Sequence, residues 1–116
     1  MVRGDAGDPG IRDAAAAVAE LRRLRRRIDA LDKRIVALLN QRAELARGVG
    51  QVKTATGRRT VRDSDREREI LLRIAMANQG PMPQADLLAI YRRLFVATRA
   101  LETADRRRQS PETDHD

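Results

Sequence analysis

The sequence contains no cysteine, one histidine and few aromatic side chains. The absence of cysteine excludes disulfides and thiolate chemistry within this chain, and His115 has no neighbouring residues with which to form a metal cluster. We therefore expect His115 to be inert. No stretch approaches the roughly 20 consecutive apolar residues of a membrane-spanning helix, and residues 1–10 lack the apolar core of a signal peptide. These absences predict a cytoplasmic protein.

The composition is rich in charge and poor in helix breakers. Charged residues make up 35% of the 116 residues, and there are only four prolines, which is typical of long helices. Lysine and arginine total 24 against 17 acids, so the net charge of +7 favours an anionic partner: a nucleic acid, a membrane or a small acid. A single domain of this size buries only a modest fraction of its surface, which favours help from a partner subunit.

Apolar residues recur at alternating spacings of three and four over the first half of the chain. They are Leu21, Leu24, Ile28, Leu31, Ile35, Leu38, Leu45, Val49 and Val52. This spacing predicts one long amphipathic helix that ends near Thr56 and Gly57. A second helix is expected to begin at Ser64 or Asp65 and stop at residues 78–81.

Pro83 opens a third predicted helix, and no segment shows the alternation of a strand. We therefore predict an all-α fold with one very long N-terminal helix and two shorter ones. The predicted domain covers residues 14–105, and the polar or glycine-rich segments 1–13 and 106–116 are expected to be disordered tails.

The first helix is too long to be covered by its own chain. Roughly 40 residues of helix extend for about 60 Å, and the two later helices are each shorter. We therefore expect an intertwined homodimeric bundle in which the first helices run antiparallel. A single extended coiled coil is the alternative that the heptad spacing leaves open.

Three cations on the first helix stand out. Arg42 falls between Leu38 and Leu45 on the apolar seam, where a buried guanidinium is costly unless an anion meets it. Lys53 follows about 16 Å further along the axis and within roughly 20° of the same side, so both could bind one dianion. Arg25 lies about 25 Å from Arg42 on a different side and could reach that ligand only from an antiparallel partner. The ordinary alternative is that these side chains extend into water.

The later helices also carry grouped polar residues. Asp63, Arg66 and Glu67 share a helix face, and Asp63 stands at the expected N-terminal boundary. Thr98 and Glu102 are one turn apart, and Thr98 lies on the apolar stripe of the third helix. Helix capping and local ion pairs with neighbouring arginines are the ordinary alternatives for this group.

Taken together, these segments resemble the all-helical AroQ class, or type II, of chorismate mutases. The resemblance covers roughly residues 20 to 103 and is carried by Leu24–Asp32, Leu38–Arg42, Val49–Lys53, Val61–Glu69 and Ile90–Glu102. Its most specific part is the Val-Arg-Asp-x-Asp-Arg-Glu segment that begins at Val61. The resemblance implies an isomerase of the shikimate pathway that converts chorismate to prephenate for aromatic amino acid biosynthesis, with no cofactor or metal.

The resemblance also implies roles for single residues. Arg42 and Arg25 of the partner subunit would clamp the two carboxylates of chorismate, and Lys53 would face the ether oxygen and a carboxylate. Glu102 would also reach the ether oxygen. A guanidinium suits the clamping because it binds a carboxylate through two directional hydrogen bonds, whereas a lysine acts as a compact point charge.

The remaining implied roles concern the ring substituents. Asp63, partly through its backbone, and Glu67 would hold the ring hydroxyl, while Thr98 would support the ring carboxylate. Arg66 would brace the pocket and contact a carboxylate. The rearrangement needs no nucleophile, so catalysis must come from holding the reactive conformer and stabilising the charge that grows on the ether oxygen.

Glu102 departs from the glutamine that many bacterial relatives have at this position. An ionised carboxylate would repel the developing oxyanion, so Glu102 must be protonated to help, and burial favours that state by raising its pKa. The sequence therefore predicts better activity at acidic than at alkaline pH. Thr98 in place of the more usual serine is a conservative change.

Other functions fit parts of the sequence. Aminodeoxychorismate mutases and isochorismate-pyruvate lyases use the same scaffold, although the Asp-x-Asp-Arg-Glu segment is not usual in the lyases. A basic helical nucleic-acid binder fits the net charge and the run Arg22–Arg27, but no recognition motif or aromatic platform supports it. A weak mutase activated by another shikimate-pathway enzyme is a further alternative. The resemblance itself predicts no nucleic-acid or membrane partner.

Overall fold

The computed structural model describes residues 9–57 and 62–109, which form three α-helices. Helix α1 spans Pro9–Ala55, α2 spans Ser64–Ala77 and α3 spans Gln84–Gln109. No strand occurs within these two ranges. The predicted all-α class, with one very long helix and two shorter ones, is confirmed.

The helical segments extend further than the expected domain limits of residues 14 and 105. Helix α1 begins at Pro9, where the fixed φ of proline suits a helical start. Helix α3 continues to Gln109, and the three arginines of its last turn complement the negative end of the helix dipole. The outer parts of both expected tails, residues 1–8 and 110–116 with His115, lie outside the described residues, as do residues 58–61.

The chain divides into two units, residues 1–41 and residues 42–116. In the first unit, every described side chain from Gly10 to Gln41 is exposed. This includes the apolar stripe, in which Ile28 is 54% and Leu38 is 55% exposed. So continuous an exposed apolar surface is rare among monomeric proteins.

The second unit contains the last turns of α1 together with α2 and α3. Helix α1 ends before Gly57, whose φ of 85° is readily adopted only by glycine. Helix α2 is capped by Asp63, whose Oδ1 accepts a hydrogen bond of 3.0 Å from the backbone N–H of Arg66. Both predicted boundaries, near Gly57 and at Ser64, are therefore confirmed.

A short turn reverses the chain between α2 and α3. The side chain of Asn78 donates to the carbonyl of Met82 at 3.1 Å and accepts from the backbone N–H of Gly80 at 3.0 Å. Helix α2 ends at Ala77, so the predicted stop at residues 78–81 is confirmed, and α3 packs against α2. No helix in the part of the chain that the structure describes is both long and apolar enough to cross a bilayer.

Helices α1 and α3 are joined by an ion pair between Arg47 and Asp105. The guanidinium donates from Nε to Oδ2 at 2.9 Å and from Nη2 to Oδ1 at 3.0 Å. Arg108 also donates to the Asp105 carboxylate. Asp105 is only 8% exposed, and the hydrogen bond from Arg47 is the main reason that the pKa of this carboxyl is lowered.

We expect Asp105→Asn to destabilise the protein at neutral pH. Because the folded-state pKa of Asp105 is lowered, its contribution is complete above the unfolded-state pKa of about 3.9. The contribution is lost as pH falls through the lowered folded-state value. Urea unfolding should therefore show wild type more stable than Asp105→Asn at neutral pH, with the difference shrinking in acid. The exposed Asp29→Asn is the matched control, and an equal loss in both variants would contradict the role of the ion pair.

Candidate active site

The second unit contains an open cavity of about 270 Å³ between α1, α2 and α3. One part of its lining is apolar and includes Leu45, Val49, Ile70 and Phe95. The other part is charged and consists of Arg42, Lys53, Asp63, Arg66, Glu67, Arg99 and Glu102. Thr98 also lines the cavity. An apolar cavity with converging charged groups is the usual form of a site for a small ionic ligand.

Arg42 lies against two aromatic rings of α3. Its guanidinium carbon is 5.7 Å from the ring centroid of Tyr91 and 5.9 Å from that of Phe95. The two rings meet edge to face, with centroids 6.5 Å apart. This arrangement stabilises a cation without neutralising it. Among the described residues no carboxylate pairs with Arg42, so its charge is available to an anion in the cavity.

Lys53 and Asp63 form an ion pair at the edge of the cavity. The Nζ of Lys53 is 3.6 Å from Oδ2 of Asp63, and the lysine side chain is only 18% exposed. Asp63 uses its other carboxylate oxygen to cap α2, so its position is fixed by the helix. Its carbonyl accepts from the backbone N–H of Glu67 at 3.0 Å. Capping and pairing therefore hold Lys53 close to the cavity.

Glu67 is held by two arginines. Nη1 of Arg99 donates to Oε2 at 2.5 Å, and Nε of Arg62 lies 3.6 Å from Oε1. The Glu67 side chain is only 16% exposed, so this pairing compensates a largely desolvated charge. Arg66 also lines the cavity, but its guanidinium pairs with Glu69, one turn further along α2.

Glu102 is half-buried on α3, one turn after Thr98. Burial raises the pKa of the Glu102 carboxyl above its ordinary value, while the charges of Lys53 and Arg106 oppose that rise. The negative charge of Asp105 adds to the rise. The net increase favours the protonated acid, which can donate a hydrogen bond.

The cavity brings together all but one of the predicted site residues. Arg25 belongs to the first unit, where its side chain is exposed, and its role stays a prediction. Arg99 lines the cavity although the resemblance does not imply it. The signal for Arg99 is its spacing, four residues after Phe95 and three before Glu102 on the same face of α3.

Known proteins share both the sequence and the fold. The family model described as chorismate mutase type II matches residues 24–103. A bifunctional chorismate mutase/prephenate dehydratase from Aquifex aeolicus is 39% identical over 87 residues, or 72% of this chain and 24% of the relative. A protein of the same name from Stutzerimonas stutzeri is 34% identical with the same coverage. The chain thus spans about a quarter of the length of the curated relatives it matches.

The structural comparison agrees with the sequence comparison. A solved structure of chorismate mutase (form II) from Thermus thermophilus superposes with a TM-score of 0.69 and 28% identity. The superposition covers 72% of this chain and 94% of the Thermus chain. The predicted resemblance is thus confirmed over most of the helical region, and the chain belongs to the type II chorismate mutase family.

Proposed function

We propose that this protein catalyses the rearrangement of chorismate to prephenate. The observation that carries the proposal is the cavity in which Arg42, Lys53 and Glu102 converge, in a chain of this family. In the reaction one C–O ether bond breaks and one C–C bond forms within a single molecule. The protein must therefore hold the folded conformer and stabilise negative charge on the ether oxygen.

The charges of the cavity favour an anionic substrate. Its lining has four cations and three carboxylates. When Glu102 is protonated, four positive charges face two negative ones. Asp63 and Glu67 are paired with Lys53 and Arg99, and Arg66 is paired with the exposed Glu69. The positive charge of Arg42 is therefore the one that favours binding of a substrate carboxylate.

The surroundings of Glu67 favour a hydroxyl over an amine on the substrate ring. Arg99 and Arg62 already place two positive charges beside this carboxylate. A third cation, the ammonium group of aminodeoxychorismate, would be repelled by them. A hydroxyl group needs only an acceptor. Chorismate is therefore the preferred substrate in this proposal, and aminodeoxychorismate and isochorismate are the compounds to compare with it.

The proposed enzyme is a homodimer in which Arg25 of the partner subunit completes each site. The exposed apolar stripe of α1, including Ile28 and Leu38, supports the need for a second chain. A second guanidinium would allow both substrate carboxylates to be clamped.

A cytosolic location and activation by another shikimate-pathway enzyme are further proposals. The activation is tested by adding candidate enzymes to the purified dimer.

We expect Arg42→Ala to lower kcat/KM for chorismate by roughly a hundredfold or more. Removing one partner of a largely desolvated ion pair costs about 2–5 kcal/mol, and each 1.4 kcal/mol is about tenfold in rate. The assay is the loss of chorismate absorbance under initial-rate conditions. Arg93→Ala, an exposed arginine of α3, is the matched control and should stay within about twofold of wild type. Similar rates for the two variants would refute the proposed role of Arg42.

Mixed dimers test whether Arg25 acts across the interface. Arg25→Ala and Arg42→Ala homodimers should each be nearly inactive. The two variant chains are co-expressed with different tags, so that heterodimers can be purified. If the partner supplies Arg25, the site that contains Arg42 of the Arg25→Ala chain also receives Arg25 from the other chain, and one of the two sites has both arginines. We expect the purified heterodimer to recover about half of the wild-type activity. An inactive heterodimer would place Arg25 in its own subunit's site, and an active Arg25→Ala homodimer would place it outside the site. Arg26→Ala controls for loss of charge in the arginine run.

The activity should fall as pH rises. Because burial raises the pKa of Glu102, the protonated donor persists above the ordinary pKa of a glutamate and is lost at higher pH. We expect the kcat of wild type to decline through that raised pKa, and the kcat of Glu102→Gln to stay level because an amide does not titrate. The measurement is kcat over a pH series with helicity monitored in parallel. Equal pH profiles for the two proteins would count against this role of Glu102.

A further inference from the structure

Gly50 of α1 lies directly against the side chain of Glu102. A Cβ atom placed on Gly50 would be 2.9 Å from Oε2, 3.3 Å from Cγ and 3.5 Å from Cδ of Glu102. A carbon and an oxygen that are not bonded do not normally approach to 2.9 Å. The Glu102 carboxyl therefore occupies space that any side chain at position 50 would need.

Gly48 provides a comparison on the same helix. A Cβ atom at Gly48 would have no heavy atom within 4 Å apart from its helical surroundings. The two glycines are two residues apart and hence on different sides of α1. Of these two glycines, Gly50 alone is in close contact with a side chain of another helix.

Glu102 lines two cavities of the second unit. One is the candidate active site, which it shares with Lys53. The other is a small cavity of about 10 Å³, which it shares with Gly50 and Asp105. The Glu102 carboxyl therefore borders the larger cavity and contacts Gly50 of α1.

We propose that Gly50 is a positioning residue for the rearrangement, because its missing side chain lets the Glu102 carboxyl lie against α1 at the edge of the larger cavity. This inference rests on the proposed function. A methyl group at position 50 pushes the carboxyl toward Lys53 and into the space of the substrate. The hydrogen-bond donor for the ether oxygen is then misplaced, although Glu102 itself is unchanged.

The predicted effect is on the site and not on the fold. The three nearest atoms to the added Cβ all belong to the Glu102 side chain, and its flexible end can move. Alanine is also a better helix former than glycine. Gly50→Ala should therefore keep the helices intact while it displaces the carboxyl.

The first experiment compares Gly50→Ala with Gly48→Ala. We expect Gly50→Ala to lower kcat by about tenfold to a hundredfold with a smaller change in KM, as a misplaced catalytic group does. Gly48→Ala should stay within about twofold of wild type. If wild type converts chorismate and the two variants have the same kcat, the inference is wrong while the proposed function stands. If wild type converts no chorismate, both fail together.

The second experiment repeats Gly50→Ala in a Glu102→Ala background, with kcat and thermal unfolding measured for all four combinations. Since the Glu102 atoms that lie nearest to the methyl group are then absent, we expect no further loss of kcat in the double variant. An additional loss as large as in the wild-type background would overturn the proposal. If Gly50→Ala alone fails to fold, folding of the double variant supports the steric contact, and failure of both assigns position 50 a purely structural role.

Discussion

Ion pairs between helices fix the positions of the charged side chains in the second unit. Phe95 is the one apolar side chain among the described residues that is buried, at 6% exposed. Each pair of helices is instead joined by an ion pair: Arg47–Asp105, Lys53–Asp63 and Arg99–Glu67. Such pairs stabilise only when both partners keep their geometry, since a lone charge at these half-buried positions is costly. The ion pairs that link the helices therefore also position two of the charged groups of the cavity, Lys53 and Glu67.

This constraint explains why the cavity is open and already charged. Lys53 and Glu67 face it while paired with Asp63 and Arg99, so their positions do not depend on a bound ligand. Arg42 is held differently, by aromatic rings that leave its charge uncompensated. Charges that are already in place at a developing oxyanion need no rearrangement during the reaction, which is the main source of electrostatic catalysis. The enzyme proposed here would work by this means and by conformer selection.

Much of the fold could be predicted because it depends on local patterns. The apolar spacing of α1, the cap at Asp63 and the turn after Ala77 are each encoded within a few residues. Arg42 was also predictable, since a cation on an apolar seam requires a compensating group. The early start of α1 was not, because Pro9 and Gly10 weaken helix propensity on average although proline is well suited to a first turn.

The rest of the site depends on contacts between residues distant in sequence. Arg99 contacts Glu67 and Gly50 contacts Glu102, and neither contact has a signature in its own segment. A glycine within a helix indicates only a weak helix position until the neighbouring side chain is known. Arg25 is proposed to act in the site of a second chain, and helical spacing predicts only the side of α1 on which it lies. Spacing thus predicts faces of helices, while the pairing of those faces needs the three-dimensional structure.

We propose that a dimer of this chain converts chorismate to prephenate without another protein. The most direct measurement is NMR of purified protein incubated with chorismate, in which substrate and product are identified and counted together. We expect one prephenate for each chorismate consumed, with no pyruvate released. Release of pyruvate would contradict the proposed activity. So would a dimer that converts chorismate no faster than the uncatalysed reaction but converts aminodeoxychorismate.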